Sequence, residues 1–438
     1  MAMLKRSSLI FAFLLSARAF AQAGAGVGGD QSPMMVPPIL SGGAYADEGS
    51  GETRSNYLSF GAVFTTAYED DTALGGTEPV SDFSFQIRPT IALSKTVPRQ
   101  NLALGYSPGF TFYTPTSGLN QADQNASGSY EYRLSPHITA DLRDQYYKSS
   151  NAFDQPGAIT GGPVTGSPQP EVVVAPFASQ WRNTASGELT YQFSENGMIG
   201  GGGTSMVLNY PNPAQVPGLY DMHAEGGSAF FTQRFGGKQY IGFNYDFSRT
   251  IETPLGTQDN IQSQSFAAFF SFYPQRSFSI SLSGGPEYVS ASQTSPNLSA
   301  RSWSPSGSAG LGWQGSHASV AAGFSRVEGG GGGLLGAYTM TGVHVMAHWE
   351  ASRTWSLGAS GAYQVQNAAI EGFETAGGGH TLAGEVMASR AISTLFSVDF
   401  RYDRLHQSYA GVAALAAAPD TNRESVSVAY HFSKALGR

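Results

Sequence analysis

The sequence has no cysteine, few charges, and no apolar run long enough for a spanning helix. Without cysteine there is no disulfide framework, no thiolate nucleophile and no thiolate metal site. Asp, Glu, Lys and Arg make up only 13% of the 438 residues. A soluble domain carries about a quarter. The net charge of −8 offers no basic face, which counts against nucleic acid as a partner. The apolar stretch 9–15 falls well short of the roughly 20 residues a membrane helix requires. A chain that avoids charge without becoming continuously apolar suits one solvent geometry above others: one face in lipid and the other toward a polar interior.

What is present begins with an export signal. Lys5 and Arg6 precede the apolar core 9–15, and small-residue patterns follow at Ala19-Phe20-Ala21 and Ala21-Gln22-Ala23. Residues 1–21 read as a signal peptide removed on export through the Sec pathway. Residues 22–54 are Gly-, Pro- and Ser-rich, as expected of a flexible periplasmic N-terminal segment. A mature chain of this kind can span a membrane only with strands.

From residue 55 a period of two takes over. Leu58, Phe60, Ala62 and Phe64 alternate with Ser59, Gly61, Val63 and Thr65; Phe83, Phe85, Ile87, Ile91 and Leu93 alternate with polar or small residues. The pattern recurs at Phe278, Ile280 and Leu282, and at Phe396, Val398, Phe400 and Tyr402. Tight turns at 95–100, 135–137, 194–197, 236–239, 273–276, 314–317, 350–353 and 390–394 alternate with loops at 69–79, 114–124, 148–180, 210–221, 251–260, 290–301, 328–338, 366–379 and 405–422. That arrangement predicts an all-β fold: a transmembrane antiparallel up-and-down β-barrel over 55–432, with about 18 strands (16 as the alternative) and a tail at 433–438. An even count places both termini on the short-turn, periplasmic side. Tyr and Trp residues gather near both sets of connections, as two interfacial girdles require.

The closing alternation Val426-Ser427-Val428-Ala429-Tyr430-His431-Phe432 resembles the final strand that the barrel-assembly machinery recognises, although six residues follow Phe432. Val426, Val428, Tyr430 and Phe432 are its candidate assembly signal. Together with Ser55-Asn56-Tyr57-Leu58 and the segment from Ala418 to Ser425, it makes the chain resemble a group of Gram-negative outer-membrane β-barrel proteins within the porin-like superfamily. The resemblance implies residence in the bacterial outer membrane, among its lipid and lipopolysaccharide, and implies no activity.

Ten charged residues fall on the phase opposite the apolar one and are candidate lumen groups: Arg88, Glu131, Arg133, Asp141, Arg143, Arg182, Glu188, Asp399, Arg401 and Asp403. Opposite charges are expected to pair across neighbouring strands, fixing register and biasing a permeation path. Eighteen strands about 4.8 Å apart enclose a lumen about 20 Å across once side chains are counted. An open hole of that size leaks small metabolites, so a constriction is expected. By analogy with the third outer loop of general porins, loop 148–180 is the candidate, with Phe153, Asp154, Glu171 and Val173; segment 22–54 is the other. The glycine run 329–333 lacks the Lys-Ser/Thr of a phosphate loop and reads as a flexible outer loop. Apolar residues on both faces near Phe230 and Phe270 suggest packing within the lumen.

No catalytic set stands out, and no enzyme activity or cofactor is expected. His344 and His348 would lie about 13 Å apart along a strand, too far to share a metal. Three readings remain: a porin-like channel for polar solutes; a dedicated export or import barrel, for polysaccharide for example, with periplasmic partners docking on 22–54; and a plugged surface barrel such as an adhesin.

Overall fold

The two-residue alternation becomes eighteen strands. The computed structural model describes residues 56–70, 81–114, 116–151, 153, 179–254, 258–275, 277–294, 298–370, 378–410, 412 and 420–436. The proposed signal peptide and segment 22–54 lie outside them. In chain order the strands are β1 (Tyr57–Glu69), β2 (Asp82–Val97), β3 (Gln100–Tyr113), β4 (Gln121–Ser135), β5 (Ile138–Ser149) and β6 (Gln180–Ser194). Next come β7 (Gly197–Asn209), β8 (Met222–Phe235), β9 (Gln239–Glu252), β10 (Asp259–Gln275), β11 (Phe278–Gln293) and β12 (Leu298–Gln314). The last six are β13 (Ala318–Gly331), β14 (Leu334–Trp349), β15 (Trp355–Ala368), β16 (Gly379–Ala391), β17 (Phe396–Tyr409) and β18 (Asp420–Ala435).

Each strand pairs antiparallel with its sequence neighbours, and β1 pairs with both β2 and β18, so the sheet is closed. The count is 18 and the topology is up-and-down. The closing seam runs from Tyr57↔Ala435 to Glu69↔Arg423. The final strand therefore passes Phe432 and takes the first three residues of the expected tail into the wall. Leu436 N–H donates to Asn56 O at 2.7 Å, holding both ends of the barrel on the short-turn edge.

Side-chain direction follows the pleat. Phe60, Phe64, Phe83, Phe85, Ile87, Ile91, Phe396 and Phe400 point outward and stand exposed, while Ser59, Thr65, Ser84, Gln86 and Ser397 point inward and are buried. The apolar phase is thus outside and the polar phase inside, the inverse of a soluble protein and the arrangement lipid demands. Small hydroxyl groups close the seam from within: Ser59 Oγ meets Ser433 Oγ at 3.2 Å, and Thr65 Oγ1 meets Ser427 Oγ at 2.8 Å.

Several loops depart from the sequence reading, 405–422 among them, since β17 runs to Tyr409 and β18 begins at Asp420. The 290–301 loop contracts to 294–297, because β11 and β12 both run further than their composition suggests. The 328–338 loop is no loop at all. β13 and β14 continue as a ladder to Gly331↔Leu334, joined only by Gly332 and Gly333. Both have positive φ, 67° and 106°, the requirement of a two-residue hairpin turn that glycine meets without strain.

Candidate functional site

The ten lumen candidates are brought to the inner wall on two arcs. On β2, Arg88 points over Gly109, where a β-carbon would lie 3.6 Å from Arg88 Nε and 3.7 Å from Asp123 Oδ2. The missing side chain lets the two charges share that space; Asp123 was not singled out from the sequence.

On β4, β5 and β6 the expected pairing fails. Register sets Glu131 opposite Asp141, and Asp141 opposite Glu188, so three carboxylates lie side by side across three strands. Neutralisation runs along each strand instead: Arg143 Nε lies 2.7 Å from Asp141 Oδ1, and Arg133 Nε lies 3.6 Å from Glu131 Oε1. A residue and its second neighbour share a face in a strand, which permits this. Arg182 stands opposite Tyr147.

The second arc repeats the theme. Asp403 faces Glu385 across β17 and β16, and faces Arg423 on its other side. Arg401 Nη1 lies 3.7 Å from Glu385 Oε2, and Asp399 accepts a hydrogen bond from the Ser389 hydroxyl.

The lumen itself is crossed by the end of the β13–β14 hairpin. Residues 328–340 are all buried, so the expected flexible outer loop is an inward-folded element. β12 and β13 pair only from Gly307↔Arg326 to Gln314↔Ser319; beyond Arg326, β13 keeps β14 as its partner and leaves the wall. Carboxylates on the adjoining wall, on β11 and β9, receive it. Glu328 N–H donates to Glu287 Oε2 of β11 at 3.0 Å, and Gly336 N–H donates to Glu252 Oε2 of β9 at 3.2 Å. Thr339 Oγ1 donates to Glu328 Oε1 at 3.1 Å. Glycine also lets the hairpin close tightly on itself: a β-carbon on Gly331 would lie 2.5 Å from Leu334 O and 2.7 Å from the Tyr338 ring.

Apolar packing completes the seat. Leu334 and Tyr338 join Met206 and Leu208 of β7, Met222 and Ala224 of β8, Tyr210, Val216 and Leu219 of the connection between them, and Tyr409 and Val412 at the end of β17. β7 and β17 stand on nearly opposite sides of an 18-strand ring. One apolar core therefore bridges the lumen from wall to wall. Full burial of a Leu or Tyr contributes about 1.5–3 kcal/mol each. The same burial pushes the Tyr210 phenol above its ordinary pKa. Tyr220 N–H donates to Gly333 O at 2.9 Å, tying the turn to the 210–221 connection.

Loop 148–180 is described only at its ends. Its start turns inward: Asn151 Nδ2 donates to Glu69 Oε1 at 3.1 Å and to Tyr113 Oη at 3.0 Å, and Phe153 is buried beside it. Arg423 Nε lies 3.5 Å from the same Glu69 oxygen. Asp154, Glu171 and Val173 lie outside the described residues. Of the two positions expected to pack inward, Phe230 does so, against Met198, whereas Phe270 points outward and its neighbour Phe269 is the buried one. Val426, Val428, Tyr430 and Phe432 all face outward on β18. Among the described residues, no group of three or more His, Asp or Glu side chains is placed to hold a metal ion.

No protein-family model and no curated protein matches the sequence. Among solved structures, the chain is similar to Pseudomonas aeruginosa OccK2 (OpdF), at 11% identity over 88% of this chain and 100% of that one, TM-score 0.44. It is similar to the ferric-catecholate import receptor Fiu of E. coli K12, at 8% identity over 87% and 82%, TM-score 0.44. It is also similar to the outer membrane protein opdK of Pseudomonas aeruginosa, at 9% identity over 86% and 99%, TM-score 0.39. Similarity of this size assigns no solute to the chain.

Proposed function

We propose that the protein is a bacterial outer-membrane channel for polar solutes, closed at rest by the inward-folded β13–β14 hairpin. One observation carries the reading: the hairpin end is held by wall carboxylates on β9 and β11 and by an apolar core reaching from β7 to β17. The charged arcs on β4–β6 and β16–β18 supply the polar wall along which a solute would pass when the hairpin moves. Loop 148–180 contributes a second inward element through Asn151 and Phe153.

The same proposal includes Sec export, periplasmic termini, insertion by the barrel-assembly machinery, and a segment 22–54 free to meet a periplasmic partner. Its test is planar-bilayer conductance of the wild-type chain against a variant whose residues 329–337 are replaced by a two-residue turn. The shortened hairpin should conduct steadily where the wild type is mostly silent. Silence from both well-folded proteins would instead support the plugged surface barrel, which the wall-to-wall apolar core also favours.

A further inference from the structure

By leaving the wall, β13 also opens a seam in it. The upper part of β12, residues 298–306, pairs with β11 throughout, but its other edge has no partner strand among the described residues. The sequence of β12 accommodates this. Pro305 stands directly opposite Pro286 of β11. Two prolines cannot form a hydrogen-bonded antiparallel pair without losing both bonds, so each missing N–H faces away from the other. The bare nitrogen of Pro305 therefore lies on the open edge, where proline is tolerated.

The seam reaches membrane depth. Trp303 and Trp313 both point outward on β12, and ten residues of strand tilted by about 40° rise about 25 Å, the height of a barrel's apolar band. Trp303 is 70% exposed and packs against Tyr288 at 5.0 Å between ring centroids, as a girdle residue should. The stretch below it, down to Gly307, opens into the outer leaflet.

Behind the seam the interior changes character. Most of the lumen wall is hydroxyl, amide and charge. Here Ile261, Val289, Ala291, Ala337 and Ile370 form a buried apolar cluster, with Ala300 of β12 and Ala369 packed against it. Two cations belong to the outward phase at the same place: Arg301 at the upper rim and Arg326 at the foot, opposite Gly307. Arg326 Nε is buried and has no hydrogen-bond partner among the described residues.

We propose that this seam is a lateral portal through which a single-chain anionic amphiphile passes between the outer leaflet and the barrel interior, along the border of the apolar cluster behind β12. The acyl chain lies along Ala300 and Ala369, the partly exposed border of the cluster, and the head group pairs with Arg301 or Arg326. The hairpin makes portal and channel mutually exclusive. Continued in the Gly307↔Arg326 register, Gly329 and Gly330 would fall opposite Ser304 and Trp303 and seal the wall, which empties the lumen.

The test uses the full chain folded in phospholipid vesicles doped with a fatty acid carrying a diazirine near its chain end. After illumination, adducts are mapped by mass spectrometry. They are expected on Ala300 or Ala369; adducts confined to outward residues such as Leu311 and Phe324 show annular lipid only and overturn the proposal. Ala300→Trp blocks this entrance and should remove the inner adducts while the barrel keeps its heat-modifiable mobility. Inner adducts that persist in that variant also overturn it. Arg301→Gln with Arg326→Gln should lower the yield about threefold, the scale of an exposed ion pair. An unchanged yield removes the anionic head group. Conductance is no part of the readout, so the outcome stands apart from that of the channel reading.

Discussion

Gly330 sits so close to Thr250 that a β-carbon on it would lie 2.7 Å from the threonine methyl and 3.0 Å from its Cβ. Hairpin and β9 are thus in contact at a point where only hydrogen fits. Introducing Val at position 330 inserts volume into a closed seat and should cost about 1–3 kcal/mol. That cost falls on the folded-in hairpin, so Gly330→Val should raise the open fraction about tenfold. Single-channel recording would show it as longer open dwell times, and a wild-type dwell-time distribution would argue against the hairpin as gate.

The absence of native cysteine makes the same contact a clean lock. With Thr250→Cys and Gly330→Cys the two β-carbons fall near disulfide range. The oxidised protein should be closed. Reduction should restore current, and exceed wild type, since the extra side chain then crowds the seat without a bond to hold it.

Three carboxylates side by side should impose a sign on whatever passes. Glu131, Asp141 and Glu188 adjoin one another across β4, β5 and β6, with Arg133 and Arg143 offsetting two of them. Replacing all three by Gln, Asn and Gln should move the reversal potential in a potassium chloride gradient toward chloride. The shift should shrink at 1 M salt, where screening acts within about 3 Å.

The outward ring of Phe432 faces lipid on β18 and stands opposite Phe60 across the seam. Phe432→Ala should lower the amount of folded barrel recovered from the outer membrane, read as the heat-modifiable band. Lys434→Ala, two residues on and also in the seam, is the control and should leave it unchanged.

The wall was legible because lipid writes a rule into every second residue. Phe83, Phe85 and Ile87 could face only one way, and turn lengths then gave count and direction. The lumen obeys no such rule. Glu131 and Asp141 each looked like half of a cross-strand ion pair, since register between two polar faces leaves no mark in composition. The hairpin was missed for a related reason: glycine signals a flexible loop and a tight approach with the same letter. A clue was nevertheless present. Leu334, Leu335, Ala337, Tyr338 and Met340 are apolar on both phases, which an outer loop in water has no use for and a buried element does.

The seam between the first and last strands has a consequence for when the protein can exist at all. Ser59 and Ser433 are 374 positions apart, and the contact between them closes the ring. Bringing such distant ends together costs about 5 kcal/mol in chain entropy. No earlier pairing offsets that loss, because a partial sheet of this sequence leaves both edges bare and its apolar face in water. Closure is therefore withheld until the sixteen residues of β18 arrive. A chain built this way reaches its closed form only where its apolar face meets lipid in place of water.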